Sequence, residues 1–120
     1  ADLTPRLYQV QNLADDAAIS LNFGKNIFAG QLIITPNQSA GTAWGIVAFR
    51  AATSAAFTIS MGLGAGCNIT TGVLAGTTGT NGFLTVSAHT DQSVYIENRL
   101  GAAYTFCLQI AGVSLDTTVL

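Results

Sequence analysis

The sequence predicts an all-β fold: an antiparallel β-sandwich of jelly-roll or Greek-key type with about eight or nine strands. Three segments alternate apolar and polar residues with a period of two, which is the pattern of a strand that buries one face. Clusters of Gly, Asn, Pro and Ser separate the apolar segments at intervals of roughly 8–20 residues, as turns between short strands do. No window of helical length has apolar residues spaced three and four apart between capping signals.

The alternating segments define three of the strands and the face that each one buries. These segments are residues 18–23, 56–63 and 103–110. In the second segment we expect the apolar face to point into the core, because that face would otherwise expose four large side chains to water. This face consists of Phe57, Ile59, Met61 and Leu63.

Apolar runs between the remaining turn clusters predict six further strands. They are residues 7–12, 27–35, 43–50, 68–76, 83–89 and 93–99. Between the strands at 68–76 and 83–89, Asn81-Gly82 indicates a two-residue hairpin, since both residues accept the positive φ of a type I′ turn.

Two of these strands are apolar on both faces, which indicates that both faces are covered. In residues 43–49, for example, Trp44 lies on one face of the strand and Phe49 on the other. Residues 27–34 also carry apolar side chains on both faces. In a two-layer sandwich the outer cover of such a strand must come from a loop or from another subunit. We therefore include Trp44 and Phe49 among the candidate interface residues.

The charge content points in the same direction. The chain has four basic and six acidic residues in 120, about a third of the usual share. Few charges keep a free monomer dispersed, so we expect a homo-oligomer, with a trimer favoured. A net charge of −2 argues against a nucleic-acid partner, and the apolar runs are too short to span a membrane.

The length fits one sandwich domain over residues 1–120. Residues 1–7 could form an extended N-terminal arm that adds a strand to a neighbouring molecule, which makes Leu3 and Pro5 candidate interface residues. This segment lacks the basic start and apolar stretch of a signal peptide, so we expect synthesis in the cytoplasm. Cys67 and Cys107 form no CxxC motif, and we expect both to be free thiols.

No residue pattern favours catalysis, a metal or a cofactor, and we predict that the chain is not an enzyme. Ser87, His89 and Asp91 share one strand face, but neighbours along a strand seldom converge as a nucleophile, a base and an orienting acid. Asp15-Asp16 is better explained as a turn than as a calcium site, because it lies outside any calcium-loop pattern. The Gly- and Thr-rich residues 70–82 lack the lysine and following helix of a phosphate loop, although their hydroxyl groups leave glycan binding open.

The strand at 93–99 carries the clearest polar pattern. Tyr95, Glu97 and Arg99 share one face, so Glu97 and Arg99 lie close enough to pair. Two interpretations stay open: a partly desolvated pair at a subunit boundary, or a solvated pair on an exposed strand worth about 0–1 kcal/mol. On the first interpretation all three residues are candidate interface residues.

Several segments together resemble a pattern in small virion proteins of tailed bacteriophages. The segments are residues 14–20, 45–50, 76–91 and 94–101, including Thr-Gly-Thr-Asn-Gly, Leu-Thr-Val-Ser-Ala and Tyr-Ile-Glu-Asn-Arg-Leu-Gly. The family is that of the capsid decoration (cement) proteins and related head-fibre base domains. The resemblance implies a jelly-roll-like subunit, usually trimeric or dimeric, on the outer capsid surface of the virion, with the major capsid protein as partner. The alternative function is a receptor- or glycan-binding module of a tail or head fibre.

Overall fold

The structure is a computed structural model that describes residues 6–22, 27–36, 41–53 and 55–114. Within these ranges it consists of nine strands in two sheets and no helix, which confirms the predicted all-β sandwich. The strands are β1 (Arg6–Leu13), β2 (Ala17–Asn22), β3 (Ile27–Pro36), β4 (Gly45–Ala52), β5 (Ala56–Leu63), β6 (Cys67–Thr71), β7 (Leu84–Ala88), β8 (Ser93–Asn98) and β9 (Tyr104–Ser114).

The two sheets divide neighbouring strands between them. One sheet has the order β1-β9-β3-β4-β5, and the other has the order β2-β8-β7-β6. The chain therefore changes from one sheet to the other after β1, β2, β5 and β8. Because the short turn after β5 joins the two sheets, β5 lies beside β6 and β7. In the described part of the chain, no helix has the length and apolar character that crossing a membrane requires.

The core lies between the inner faces of the two sheets, where alternate residues of each strand meet. Leu32 and Val47 are opposite each other in the β3–β4 ladder, and both are completely buried. The alternation predicted for residues 103–110 is confirmed, since the inner residues of β9 are buried and Cys107 points outward. The largest fully buried apolar side chains are Phe49, Phe106, Leu32, Ile34, Leu84, Ile96, Leu108 and Ile110.

One pair of strands corrects the antiparallel prediction. β6 and β7 run parallel, with Cys67 opposite Leu84 and Thr71 opposite Ala88. A parallel pair needs a connection of about a dozen residues, and residues 72–83 supply it. The predicted Asn81-Gly82 hairpin is therefore wrong. Only Gly82 of the two has a positive φ, and the bond from the Phe83 N–H to the Thr80 carbonyl closes a turn within the connection.

The orientation of β5 is a second correction. Three residues of the predicted apolar face, Phe57, Ile59 and Met61, point outward and are exposed, whereas Leu63, beyond a register shift, packs against the core as predicted. The inner side of β5 lies close to the second sheet, where the Thr58 hydroxyl accepts a hydrogen bond from the Ala88 N–H at 2.9 Å. The residues of β5 on this side near β7 are small, such as Ala56 and Thr58, and the large Phe57 and Ile59 take the opposite face.

Two other predictions fall partly or wholly outside the described residues. Arg6 and Leu7 of the predicted N-terminal arm belong to β1, where they pair with Ile110 and Gln109 of β9. Residues 1–5, including Leu3 and Pro5, lie outside the described residues, so that an arm formed by them stays a prediction.

The two cysteines are free thiols, as predicted, and they differ in environment. Burial raises the pKa of the Cys67 thiol to about 11, so that little reactive thiolate exists near neutral pH. In the native protein we expect an alkylating reagent at about pH 8 to add one label, at the exposed Cys107. In denaturant without reductant both cysteines should react, as counted by mass spectrometry. A Cys107→Ser variant should take no label in the native state, and the absence of labels in denaturant would reveal a disulfide instead.

Candidate functional site

The carboxylate of Glu97 is the centre of the most extensive polar network in the structure. Among the described residues it is the one acidic side chain that is completely buried. It accepts three backbone hydrogen bonds from the connection between β6 and β7: from Gly76 at 2.8 Å, Thr78 at 3.1 Å and Gly79 at 2.7 Å. Charged acceptors make the stronger hydrogen bonds, and these three offset the cost of burying the carboxylate.

The connection comes close to β8 because glycine occupies the contact point. A Cβ atom at Gly79 would lie 2.5 Å from Glu97 Oε1 and 2.8 Å from the Thr85 hydroxyl oxygen. Gly76 has a φ of +113°, and a Cβ atom there would lie 2.5 Å from the Asp16 carbonyl oxygen. Gly76 and Gly79 therefore allow close backbone packing of the connection.

Arg99 fixes the same connection from its outer side. Its Nε donates to Asp16 Oδ1 at 2.9 Å, and its Nη1 donates to the Gly79 carbonyl oxygen at 2.8 Å. The adjacent Asp15 accepts the Gly101 N–H at 2.8 Å, and Asp15-Asp16 form the predicted turn between β1 and β2. The ion pair thus ties this turn to the connection.

These contacts correct both interpretations of Glu97 and Arg99. The two side chains do not pair with each other: Glu97 binds the backbone of the connection, and Arg99 binds Asp16. Glu97 is inaccessible to another molecule, and so is Phe49, which is 1% exposed in the core. Neither side chain can form an interface contact. Sequence reasoning missed this role of Glu97, although one signal was present: a glycine-rich connection without lysine needs an acceptor for its backbone N–H groups.

Of the three residues considered for catalysis, Ser87 and Asp91 bind different partners. Ser87 is buried, and its hydroxyl donates to the Gly72 carbonyl oxygen at 2.6 Å. Asp91 accepts the Ser93 N–H through Oδ1 and the Tyr95 hydroxyl through Oδ2. This bond to Asp91 is the first cause of the raised pKa of the Tyr95 phenol, followed by burial and the negative charge of Asp91.

A shallow groove of about 200 Å³ runs between β6 and the connection. The Thr85 hydroxyl is buried and has no hydrogen-bond partner within the described part of the chain. Ile69 and the half-exposed Val73 give the groove an apolar margin. A surface of this kind offers hydrogen bonds without charge, which suits neutral hydroxylated ligands. Its polar residues are Asn68, Thr70, Thr71, Thr78, Thr80 and Thr85.

The remaining candidate interface residues, Trp44 and Tyr95, are accessible to different degrees. Trp44 is 38% exposed and lies on the outer face of the five-stranded sheet, whereas Tyr95 is partly buried. Within the described ranges, no group of three or more His, Cys, Asp or Glu side chains is placed to hold a metal ion.

Comparison with solved structures gives a match to the tailspike protein of Acinetobacter phage vB_ApiP_P1, at 10% sequence identity and a TM-score of 0.46. The match covers 90% of this chain and 21% of the tailspike chain, so this chain spans about a fifth of the length of that protein. No protein-family model and no curated protein sequence matches the chain.

Replacement of Glu97 should destabilise the fold strongly. A Glu97→Ala change leaves three inward-facing N–H groups without an acceptor, so we expect a loss of at least about 3 kcal/mol of unfolding free energy. Chemical denaturation monitored by circular dichroism measures the loss. The matched control is Asp15→Asn, which alters one exposed hydrogen bond and should cost about 1 kcal/mol or less. Equal effects of the two changes would contradict the central role of Glu97.

The Tyr95 phenol should lose its proton above its ordinary pKa of 10.0. Because the folded pKa is raised, the stabilisation by the Tyr95–Asp91 bond is complete below about pH 10 and is lost as pH rises through the folded pKa. The ultraviolet absorbance of the phenolate reports this titration, and Tyr95→Phe identifies its contribution. Asp91→Asn should move the pKa of Tyr95 down towards 10. An unchanged titration in Asp91→Asn would exclude the carboxylate as the cause.

Proposed function

We propose that this chain is a structural protein of a tailed-phage particle, and specifically a capsid decoration protein that binds the major capsid protein on the outer shell. The observation that carries the proposal is the position of the segments that resemble such proteins. Residues 76–91 and 94–101 form one unit, in which the connection is held on β8 by Glu97 and Arg99. The residues that resemble decoration proteins are thus the ones that hold the connection against β8.

The character of the surface supports the same proposal. Of the few charged side chains, Glu97 is buried, and Arg99 and Asp16 pair with each other. What remains exposed includes large apolar side chains on one sheet face. A protein that works while covered by neighbouring subunits needs few surface charges, whereas a freely diffusing monomer depends on them.

Attachment to the shell would rest on apolar and main-chain contacts. Buried apolar area contributes about 25 cal/mol per Å², and salt weakens this contribution little. Exposed charges, in contrast, are screened beyond about 10 Å at 0.1 M salt. Residues 1–5, which precede β1, are a candidate for part of the contact, as an arm that adds a strand to a neighbouring sheet edge.

The groove beside β6 favours a second candidate function, a glycan-binding module of a tail or head fibre. Its threonines and Asn68 match the hydroxyl groups of a sugar, and its volume of about 200 Å³ is suited to a single sugar ring. Copy number separates the two functions. A decoration protein is present in particles at numbers near those of the major capsid protein, whereas a fibre module is scarce.

Purified particles provide the test. We expect the band of this protein on a denaturing gel to approach the molar amount of the major capsid protein, and a wash with 1 M salt to leave it bound. Removal of residues 1–5 should lower occupancy while the circular dichroism spectrum stays unchanged. A scarce band would favour the fibre module, and release by salt alone would contradict apolar attachment.

A further inference from the structure

Large exposed apolar side chains are concentrated on one face of the five-stranded sheet. Six such side chains are exposed in the described residues, of which Val73 lies in the connection after β6 and Leu7 lies on β1, at the opposite edge of the same sheet. The other four form what we call the β5 face. They are Trp44 (38% exposed), Phe57 (40%), Ile59 (53%) and Met61 (58%).

Strand register brings these four side chains together. Ile59 is opposite Ala48 and Phe57 is opposite Arg50, on the outward side of the β4–β5 ladder. The indole ring of Trp44 lies over Gly62, where a Cβ atom would be 3.7 Å from the ring. A register shift beside this glycine leaves Met61 without a partner residue in β4. The β5 face therefore extends along the edge strand from Phe57 to Gly62.

The exposed area of the β5 face is comparable with that of functional apolar patches. From their exposed fractions, the four side chains together present on the order of 400 Å² to water, and the largest apolar patch on a monomer, about 300–600 Å², often has a function. A stable interface takes about 800 Å² from each partner. The β5 face supplies about half of that area as an apolar centre, and the half-buried Ile46 and Ala48 of β4 lie next to it.

We propose that the β5 face binds a second copy of this chain. In addition to the area, the charge pattern indicates this occupant. Arg50 is the one charged residue in β4 and β5, so two copies can meet face to face without rows of like charges. A partner recognised by its charge would find only Arg50 on these strands. The inference goes beyond the proposed function, because self-association holds whether or not the chain decorates a shell.

Light scattering on the purified full chain over a range of micromolar concentrations tests the proposal. We expect a mass of at least twice the 12.3 kDa of one chain. An Ile59→Glu variant should be a monomer, since each copy would place a carboxylate in the apolar centre. Ile59→Val keeps the face apolar and should remain associated.

Two further variants complete the design. Ser20→Glu adds the same charge at an exposed position of β2 in the other sheet, and it should associate like the original chain. If circular dichroism shows that Ile59→Glu does not fold, Met61→Lys replaces it, since Met61 is the most exposed side chain of the β5 face. Folded Met61→Lys should likewise be a monomer.

Three results would overturn the inference: a monomer at all concentrations, association that persists in folded Ile59→Glu or Met61→Lys, or dissociation of Ser20→Glu as well. A monomer whose binding to particles is abolished by Ile59→Glu would assign the face to the major capsid protein instead. The particle gel is a separate measurement. A self-associating chain that is scarce in particles would contradict the decoration function and leave this inference intact.

Discussion

The structure depends on one buried carboxylate. Glu97 collects three N–H groups of the connection between β6 and β7 and so determines where that connection lies. The connection in turn covers β8 at Glu97, which explains why this residue is buried although it lies on the polar face of the strand. The connection also permits the parallel pairing of β6 and β7, because it brings the chain from the end of β6 back to the end of the sheet where β6 begins. In this small sandwich, the connection is thus held on the sheet by polar contacts and not by apolar packing alone.

The strands themselves could be predicted, because period-two alternation and turn residues are local signals. Nine strands were expected and the described residues form nine, and β9 buries the expected side chains, such as Phe106. The direction in which β5 faces could not be predicted in this way. Alternation shows that Phe57 and Ile59 share a face, but whether that face is inside depends on how closely the second sheet approaches. The Thr58 hydroxyl bond to Ala88 requires this approach, and the sequence does not show it.

The roles of the polar residues were equally non-local. Asp16 and Arg99 are 83 positions apart, and Gly79 and Glu97 are 18 positions apart, so no spacing rule connects them. Same-face geometry on β8 suggested that Glu97 and Arg99 pair with each other. Each of them instead finds a partner in the connection or the β1–β2 turn, because backbone N–H groups and Asp16 satisfy them better. The partner of a polar residue in a largely apolar strand is thus better sought among the backbone N–H and carbonyl groups of loops that pack against the strand.

The parallel pairing of β6 and β7 also affects how the chain reaches its fold. An antiparallel hairpin can form by zipping from its turn, but these two strands share no turn and must meet after a loop of 12 residues has closed. Loop closure costs entropy before any ladder contact is gained, so pairing of this kind is intrinsically slow. During that interval β5 lacks its inner contacts with β6 and β7, while its apolar outer residues are already exposed. Aggregation during folding, and therefore the rate of synthesis and the temperature of expression, becomes a constraint on this chain before any question of its final stability.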